Sequence, residues 1–300
     1  MPFDRSKPIS ANGVTVVFDA EWGCWRQEPM PRPAEIDRLY LEEYFQNVES
    51  DYVEVQDAGQ SYLEIVYEDK LRNFNEFLPD NCVRSILDIG CADGRMLEWF
   101  QDRNWLVQGI EPSPLAENAR IRGTGIPVIN EPFERSANSL ACSQYSVVHL
   151  KGVLEHVHDP NKLLRVCAEL TADDGIFCLH QGLDLSDTQK AAIDAEQLPL
   201  WILTPEHITY WTDDMCAHGL EKAGFQIVMK EADFPIDWFL LMGVNYVETP
   251  ELGYQAQQMR EAFERNLIDT GNNDYRIKLL RTLAANGFGR TINYYCRKVH

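Results

Sequence analysis

The sequence contains no long apolar run. Its most apolar stretches, such as residues 238–244, fall well short of the ~20 residues that a membrane-spanning helix needs. The first residues also lack the apolar core of a secretory signal. We therefore expect no membrane-spanning segment and a cytoplasmic protein.

Basic residues are scarce relative to acidic ones. The chain has 27 Lys and Arg residues against 47 Asp and Glu residues, which gives a net charge of −20. Such a chain repels phosphate groups, and sequence-independent nucleic-acid binding depends on basic contacts to phosphates. Anionic membrane surfaces are disfavoured for the same reason. We expect neither nucleic acid nor a membrane as a partner.

Clustered cysteines are also missing. The eight cysteines are scattered, with no C-x-x-C pair and no group of His and Cys at zinc-type spacing. We therefore expect free thiols and no metal site.

The first 80 residues differ in composition from the rest. They carry half of the net negative charge and are rich in aromatic residues. We interpret residues 1–80 as an N-terminal cap that covers an active site or forms a dimer surface, with plain packing as the alternative. The predicted elements of this segment are a strand at 14–18 and helices at 34–45 and 62–77.

Residues 81–300 alternate apolar strands with amphipathic helices. This pattern is typical of a parallel sheet covered by helices on both faces. A helix is predicted to begin at Asp159 and Pro160, and a turn at Asp174 and Gly175. Residues 234–288 interrupt the alternation as a helical insertion. The predicted strands are 85–89, 105–110, 128–129, 146–150, 176–180, 225–229 and 291–296.

The segment 86–95 carries the clearest chemical signal. An apolar strand runs into a glycine-containing turn that opens a helix, which is how α/β folds bring backbone close to a nucleotide-like ligand. Gly90 and Gly94 permit tight turning, but Ala92 replaces the second glycine of the dinucleotide motif. Asp88 lies inside the strand. Its carboxylate would repel a pyrophosphate and would favour a ligand with a cationic ammonium or sulfonium group.

A second carboxylate follows the second predicted strand. Glu111 lies 21 residues beyond Gly90, close to the offset at which an acid binds both hydroxyls of an unphosphorylated ribose. The two features together predict a ligand with a ribose, an amino-acid cation and no phosphate. S-adenosylmethionine fits this description better than NAD does.

These motifs resemble those of the class I S-adenosylmethionine-dependent methyltransferases, in their small-molecule branch. Segment 86–97 is similar to their glycine-rich first motif, and 107–112 to their acidic second-strand motif. Further similarities lie at 145–160, 174–177 and 207–225. The resemblance implies a Rossmann-like, seven-stranded, mostly parallel sheet with helices on both faces and an antiparallel last strand.

The resemblance also implies a cofactor site for S-adenosyl-L-methionine. Two departures from the family pattern are Ala92 at a glycine-like position and the missing acid at the start of the fourth strand, where Tyr145 and Ser146 stand. The implied cofactor-binding residues are Asp88, Gly90, Cys91, Ala92, Gly94, Glu111, Pro112, Phe133 and Lys151.

Catalytic candidates come from the histidines. Methyl transfer needs a positioned acceptor, and an oxygen or nitrogen acceptor usually needs its proton removed. His156, His180 and His207 lie near the predicted sheet edge or in matched motifs, and we hold all three as candidate bases. His149 is predicted to lie in the core and His158 at a helix start.

The predicted function is methyl transfer to an oxygen, less readily a nitrogen or carbon, of a small metabolite such as a sugar-linked compound. Trp238 and Tyr246, in the insertion, are the candidate substrate residues. A homodimer is compatible with the same elements. Two alternatives stay open, a catalytically inactive partner subunit with this fold and an NAD-dependent oxidoreductase. Ligand-dependent melting temperatures would separate all three.

Overall fold

A computed structural model describes residues 3–42, 51–121, 123–140, 145–196 and 198–299. The strands are β1 (Ile9–Ala11), β2 (Val14–Asp19), β3 (Cys24–Gln27), β4 (Ser85–Ile89), β5 (Leu106–Ile110), β6 (Val128–Ile129), β7 (Tyr145–Lys151), β8 (Thr171–Gly182), β9 (Thr209–Tyr210), β10 (Phe225–Ala232) and β11 (Thr291–Lys298). The helices are α1 (Pro33–Arg38), α2 (Tyr52–Ala58), α3 (Gln60–Phe77), α4 (Arg95–Gln101), α5 (Leu115–Ile121), α6 (Phe133–Leu140), α7 (Pro160–Leu170), α8 (Asp187–Glu196), α9 (Asp213–Lys222), α10 (Trp238–Leu241), α11 (Pro250–Asp269) and α12 (Asn273–Ala285).

Seven strands form the main sheet in the order β10-β11-β8-β7-β4-β5-β6. The strands β7, β4, β5 and β6 pair with one another in parallel, and the sheet as a whole is mostly parallel with one antiparallel end. Strand β4 is buried along its length after Ser85, because a parallel strand packed on both faces is apolar throughout. The predicted Rossmann-like fold is confirmed.

A second, smaller sheet has the order β1-β2-β3-β9. Strands β1, β2 and β3 follow one another as antiparallel neighbours, and β3 also pairs with the distant β9 through Trp25 and Tyr210. The sequence predicted only the strand at 14–18 in this region. A two-residue strand such as β9 has too little periodicity to detect, and its pairing is set by tertiary contact.

The chain divides into two compact units. One comprises residues 1–30, 180–221 and 227–294, and the other comprises residues 31–179, 222–226 and 295–300. The proposed cap, residues 1–80, contributes to both units, so its role as a cap stays a prediction.

Most predicted elements are found within a residue or two. The helical insertion contains α11 and α12, and the side chain of Asp159 caps α7 by accepting from Lys162 N at 2.8 Å. The predicted helix 34–45 begins as α1, and its last three residues lie outside the described ranges.

Strand β8 is longer than predicted. It begins at Thr171, so Asp174 and Gly175, where a turn was predicted, lie within the bounds of the strand. Glycine is favoured at position 175 because a Cβ atom there would lie 3.0 Å from the backbone oxygens of Ala172 and Ser146 and 3.1 Å from Ala172 N. The approach to Ala172, three residues earlier, indicates a tight bend of the chain at the predicted turn, and the approach to Ser146 brings the same point close to β7.

An aromatic core supports the sheet beneath α3. Phe74 is fully buried and its ring lies 5.9 Å from those of Phe100 and Tyr295 and 6.1 Å from that of Trp105.

None of the helices that the structure describes combines the length and apolar content needed to span a bilayer. All seven described cysteines are free thiols.

Candidate active site

The glycine-rich turn after β4 depends on left-handed backbone. Gly90, Ala92 and Gly94 have φ angles of 80°, 48° and 74°. A Cβ atom on Gly90 would lie 2.5 Å from Val153 Cγ2 and 3.1 Å from the backbone oxygen of Lys151. Glycine is therefore required at position 90 by both conformation and space, whereas Ala92 adopts the left-handed region at a cost of roughly 1–2 kcal/mol.

Hydrogen bonds tie this turn to the end of β5. Gly90 N and Cys91 N both donate to Ile110 O, at 2.8 and 3.1 Å. The side chain of Cys91 is buried, and a Cβ atom on Gly109 would lie 2.5 Å from its Sγ. Burial raises the pKa of the Cys91 thiol. Cys91 can therefore offer a ligand its backbone and not a reactive thiolate.

Glu111 directly follows β5 and is 5% exposed. Its Oε2 accepts from Ala92 N and its Oε1 accepts from Ser113 N, each at 2.9 Å. Burial raises the pKa of Glu111, although these N–H groups favour the ionised form. A carboxylate oxygen has two lone pairs, so Glu111 can still accept from the two hydroxyls of a ribose.

Asp88 and a buried histidine form a pair that the sequence did not predict. Asp88 lies opposite His149 in the register of β4 and β7, and His149 Nδ1 is 2.6 Å from Asp88 Oδ1. His149 lies in the core, as predicted, with no exposed surface. Burial, with Lys70 nearby, lowers the pKa of His149 to about 4.

A buried ion pair fixes the start of α4. Arg95 Nε is 3.0 Å from Asp93 Oδ2, and both side chains are almost fully buried. Arg95 Nη2 also lies 3.1 Å from Asp57 Oδ1. Removing one partner of such a buried pair typically costs about 3–5 kcal/mol. The pair therefore holds the turn. Because the charge of Arg95 is already neutralised by carboxylates, Arg95 is poorly suited to bind a phosphate.

The remaining implied cofactor residues also follow sheet strands. Pro112 comes after Glu111, and Phe133 is a buried residue at the start of α6, shortly after β6. Lys151 is exposed at the end of β7. All nine implied residues belong to one compact unit. The carboxyl ends of parallel strands are where open α/β sheets bind ligands.

His156 lies in the same unit, in a short 3₁₀ turn after β7. Its Nδ1 makes a short hydrogen bond with the hydroxyl of Tyr40, whose ring centroid is 4.9 Å away. Its Nε2 is 3.9 Å from Glu155 Oε1. These contacts fix the orientation of the imidazole, and only the partner roles of Tyr40 and Glu155 were missed from sequence.

His180 and His207 belong to the other unit. His180 Nδ1 is 2.8 Å from Asn293 Oδ1. His207 Nδ1 is 3.5 Å from Oδ2 of the buried Asp184, which also accepts from Arg290 Nη1 at 2.9 Å. Burial alone would raise the pKa of Asp184, but the charges of Arg290 and His207 outweigh it and the pKa lies below its usual value.

The two candidate substrate residues, Trp238 and Tyr246, lie in the same unit as His180 and His207. Trp238 is half-buried at the start of α10, with its ring 6.4 Å from that of Phe234. The hydroxyl of Tyr246 donates to the buried Asp237 at 2.6 Å, and burial raises the pKa of Tyr246. The structure thus supplies both residues with partners inside the insertion, and their contact with a substrate stays a prediction.

A family model described as "Methyltransferase domain" matches residues 62–230. The chain belongs to this family. It is an S-adenosylmethionine-dependent methyltransferase with S-adenosylmethionine as its cofactor, as the motifs predicted. The match includes the glycine-rich turn, Glu111 and the segment around His156.

Sequence similarity to individual known proteins covers a smaller part of the chain than the family model does. The ubiquinone biosynthesis O-methyltransferases of Escherichia coli O127:H6 and Salmonella paratyphi A are each 33% identical over 97 residues, which is 31% of this chain. The alignment spans only 40% of the length of those relatives. A SAM-dependent methyltransferase from Archaeoglobus fulgidus superposes with a TM-score of 0.50 at 16% identity, over 82% of this chain and 99% of that one. This likeness supports the fold.

Proposed function

We propose that the protein transfers a methyl group to an oxygen atom of a small metabolite, and that it does so in the cytoplasm. The observation that carries the site assignment is the pair of buried carboxylates, Asp88 and Glu111, on either side of the glycine-rich turn. The choice of oxygen is supported by the name of the O-methyltransferase relatives. Seven free cysteines are in keeping with a reducing compartment.

The residues of the turn fit S-adenosylmethionine. Glycine is required at position 90 because a Cβ atom would clash with Val153, so the turn that would hold the cofactor packs directly against the segment after β7. Asp88 would face the cationic amino-acid part, Glu111 would accept from the ribose hydroxyls, and Phe133 would pack against the adenine. When bound, S-adenosylmethionine supplies an electrophilic methyl group on a sulfonium centre.

The acceptor oxygen would lose its proton to a histidine. In His156, His180 and His207 the Nδ1 atom is in contact with Tyr40, Asn293 and Asp184 respectively. A histidine whose Nδ1 carries the N–H and points it at such a partner has its lone pair on Nε2, and Nε2 is then the atom that would take the proton.

Calorimetric titration tests the cofactor assignment. We expect binding of S-adenosylmethionine and S-adenosylhomocysteine and none of NAD, because Ala92 and the in-strand Asp88 disfavour a pyrophosphate. No binding of either adenosyl compound at millimolar concentration would contradict the proposal. Binding without transfer to any component of a metabolite extract would favour the inactive-partner alternative.

Substitution of the histidines tests the chemistry. The acceptor is first identified as the metabolite that gains label from S-adenosylmethionine. The kcat for this acceptor is then measured for three variants, His156→Asn, His180→Asn and His207→Asn. The control is His218→Asn, at an exposed histidine. One of the three should lower kcat by about 10²–10⁴-fold, the usual contribution of a general base. Three variants with the kcat of the control would mean that the acceptor needs no histidine base.

A further inference from the structure

The pair formed by His149 and Asp88 offers more than core packing. The two residues lie directly opposite each other in parallel strands, so their side chains project from the same face of the sheet. His149 has no exposed surface, and Asp88 is 4% exposed. The pair is therefore built by strand register and shielded from bulk water.

The surroundings of the two ring nitrogens determine the tautomer of His149. His149 Nε2 is buried and has no hydrogen-bond partner among the described residues. A neutral imidazole carries one N–H. Placed on Nδ1, this N–H donates to Asp88 Oδ1 at 2.6 Å, whereas on Nε2 it would be buried without an acceptor. The proton therefore belongs on Nδ1.

Burial and two nearby lysines favour the neutral form of His149. The pKa of His149 is lowered to about 4, first by burial and then by the charge of Lys70, with a smaller contribution from Lys151. Asp88 acts in the opposite direction without overcoming them. His149 is thus a neutral donor to Asp88 at physiological pH.

The second oxygen of Asp88 is not used by this pair. Among the described residues, Asp88 makes one side-chain hydrogen bond, the one from His149 to Oδ1. Oδ2 is left to accept from a ligand at the end of β4. A fixed donor on one carboxylate oxygen holds the other in a single orientation, as outer partners do for metal-binding carboxylates.

We propose that His149 is a positioning residue of the cofactor site, whose Nδ1–H holds the Asp88 carboxylate so that Oδ2 faces the cationic amino-acid part of S-adenosylmethionine. The proposal rests on the proposed role of Asp88 in that site. A buried carboxylate without a donor is costly and loses its preferred orientation. His149 therefore acts on the cofactor through Asp88 and touches no reacting atom.

The first test is the affinity for S-adenosylhomocysteine, measured by calorimetry on the full chain. His149→Leu removes the donor and is expected to raise Kd by about 10-fold or more, the effect of losing a charge-assisted hydrogen bond. His149→Asn keeps an N–H near the position of Nδ1 and is expected to remain within about threefold of the native Kd. Val148→Ala is the matched control, because Val148 is a fully buried neighbour on the same strand and points to the opposite face.

The outcomes separate the two claims. Native affinity in His149→Leu, with weakened affinity in Asp88→Asn, would overturn the positioning role and keep the site. Native affinity in both Asp88→Asn and Glu111→Ala would overturn the site itself. Equal losses in His149→Leu and Val148→Ala would show a stability effect and contradict the positioning role.

A spectroscopic readout does not depend on the variants folding. The ¹⁵N chemical shifts of His149 in the native protein distinguish a protonated ring nitrogen from a bare one. We expect a protonated Nδ1 and a bare Nε2 between pH 5 and 8. A proton on Nε2 would overturn the proposal even if every His149 variant failed to fold.

Discussion

Glu111 permits the sharpest test of the cofactor site. Its carboxylate already accepts two backbone N–H bonds, from Ala92 and Ser113, and it is proposed to accept the ribose hydroxyls as well. Glu111→Ala removes all of these at once. One charge-assisted hydrogen bond contributes about 1.5–3 kcal/mol, so the loss of a single ribose bond raises the Kd for S-adenosylhomocysteine by roughly 10- to 150-fold.

The same substitution also destabilises the fold. Two backbone N–H groups lose their acceptor, and each buried unpaired donor costs about 1–3 kcal/mol unless water reaches it. The Kd is therefore measured well below the melting temperature of the variant. Glu117→Ala is the matched control, since Glu117 is an exposed acid in the first turn of α5 and its removal changes the net charge by the same amount.

A cofactor analogue isolates the ribose contact. Native protein should bind 2′,3′-dideoxy S-adenosylhomocysteine more weakly than S-adenosylhomocysteine, and Glu111→Ala should bind the two alike. This is a double-mutant cycle in which one change is in the ligand. If Glu111→Ala still discriminates against the dideoxy compound as strongly as native protein, the carboxylate does not bind the ribose and the reasoning is wrong.

Three further predictions follow from local geometry. Gly90→Ala should abolish cofactor binding and lower the free energy of unfolding more than Gly13→Ala, because both glycines have φ near 80° but only Gly90 lacks room for a Cβ atom; equal losses in a denaturant titration would contradict this. Because the pKa of His149 is lowered from 6.5 to about 4, its contribution to stability is present above pH 6.5 and is lost as the pH falls towards 4. At about 1.4 kcal/mol per unit, this loss is on the order of 3 kcal/mol; His149→Asn should flatten it in pH-dependent unfolding, and an unchanged slope would refute the assignment. Trp238→Ala and Tyr246→Ala should raise the KM for the acceptor and leave cofactor affinity nearly unchanged, whereas loss of cofactor binding would exclude a role in acceptor binding alone.

Elements encoded by neighbouring residues were predictable from the sequence. Strand β4 was predicted with its observed bounds because a buried parallel strand is a continuous apolar run. The start of α7 was predicted because an Asp cap and a proline act within one turn. The glycine-rich turn and Glu111 were recognisable because their spacing reflects a short strand, turn and helix.

Contacts between distant residues were not predictable in this way. His149 and Asp88 are 61 residues apart, and their pairing depends on the register between β4 and β7, which no local pattern specifies. The pairing of β9 with β3 and the contact of Tyr40 with His156 have the same origin. Each histidine could be named as a candidate, but not the group that orients it.

The sequence by itself determined the family, the main sheet and the chemistry of the glycine-rich turn, because these depend on apolar periodicity, on left-handed glycines and on the spacing of one acid from them. Only the tertiary structure decided how those groups are held. Burial raises the pKa of Glu111, whose carboxylate accepts from two backbone N–H groups. Burial also lowers the pKa of His149, which makes it a neutral donor. Burial and strand register arise from the packed chain, so they set the protonation and orientation of these side chains where sequence spacing could not.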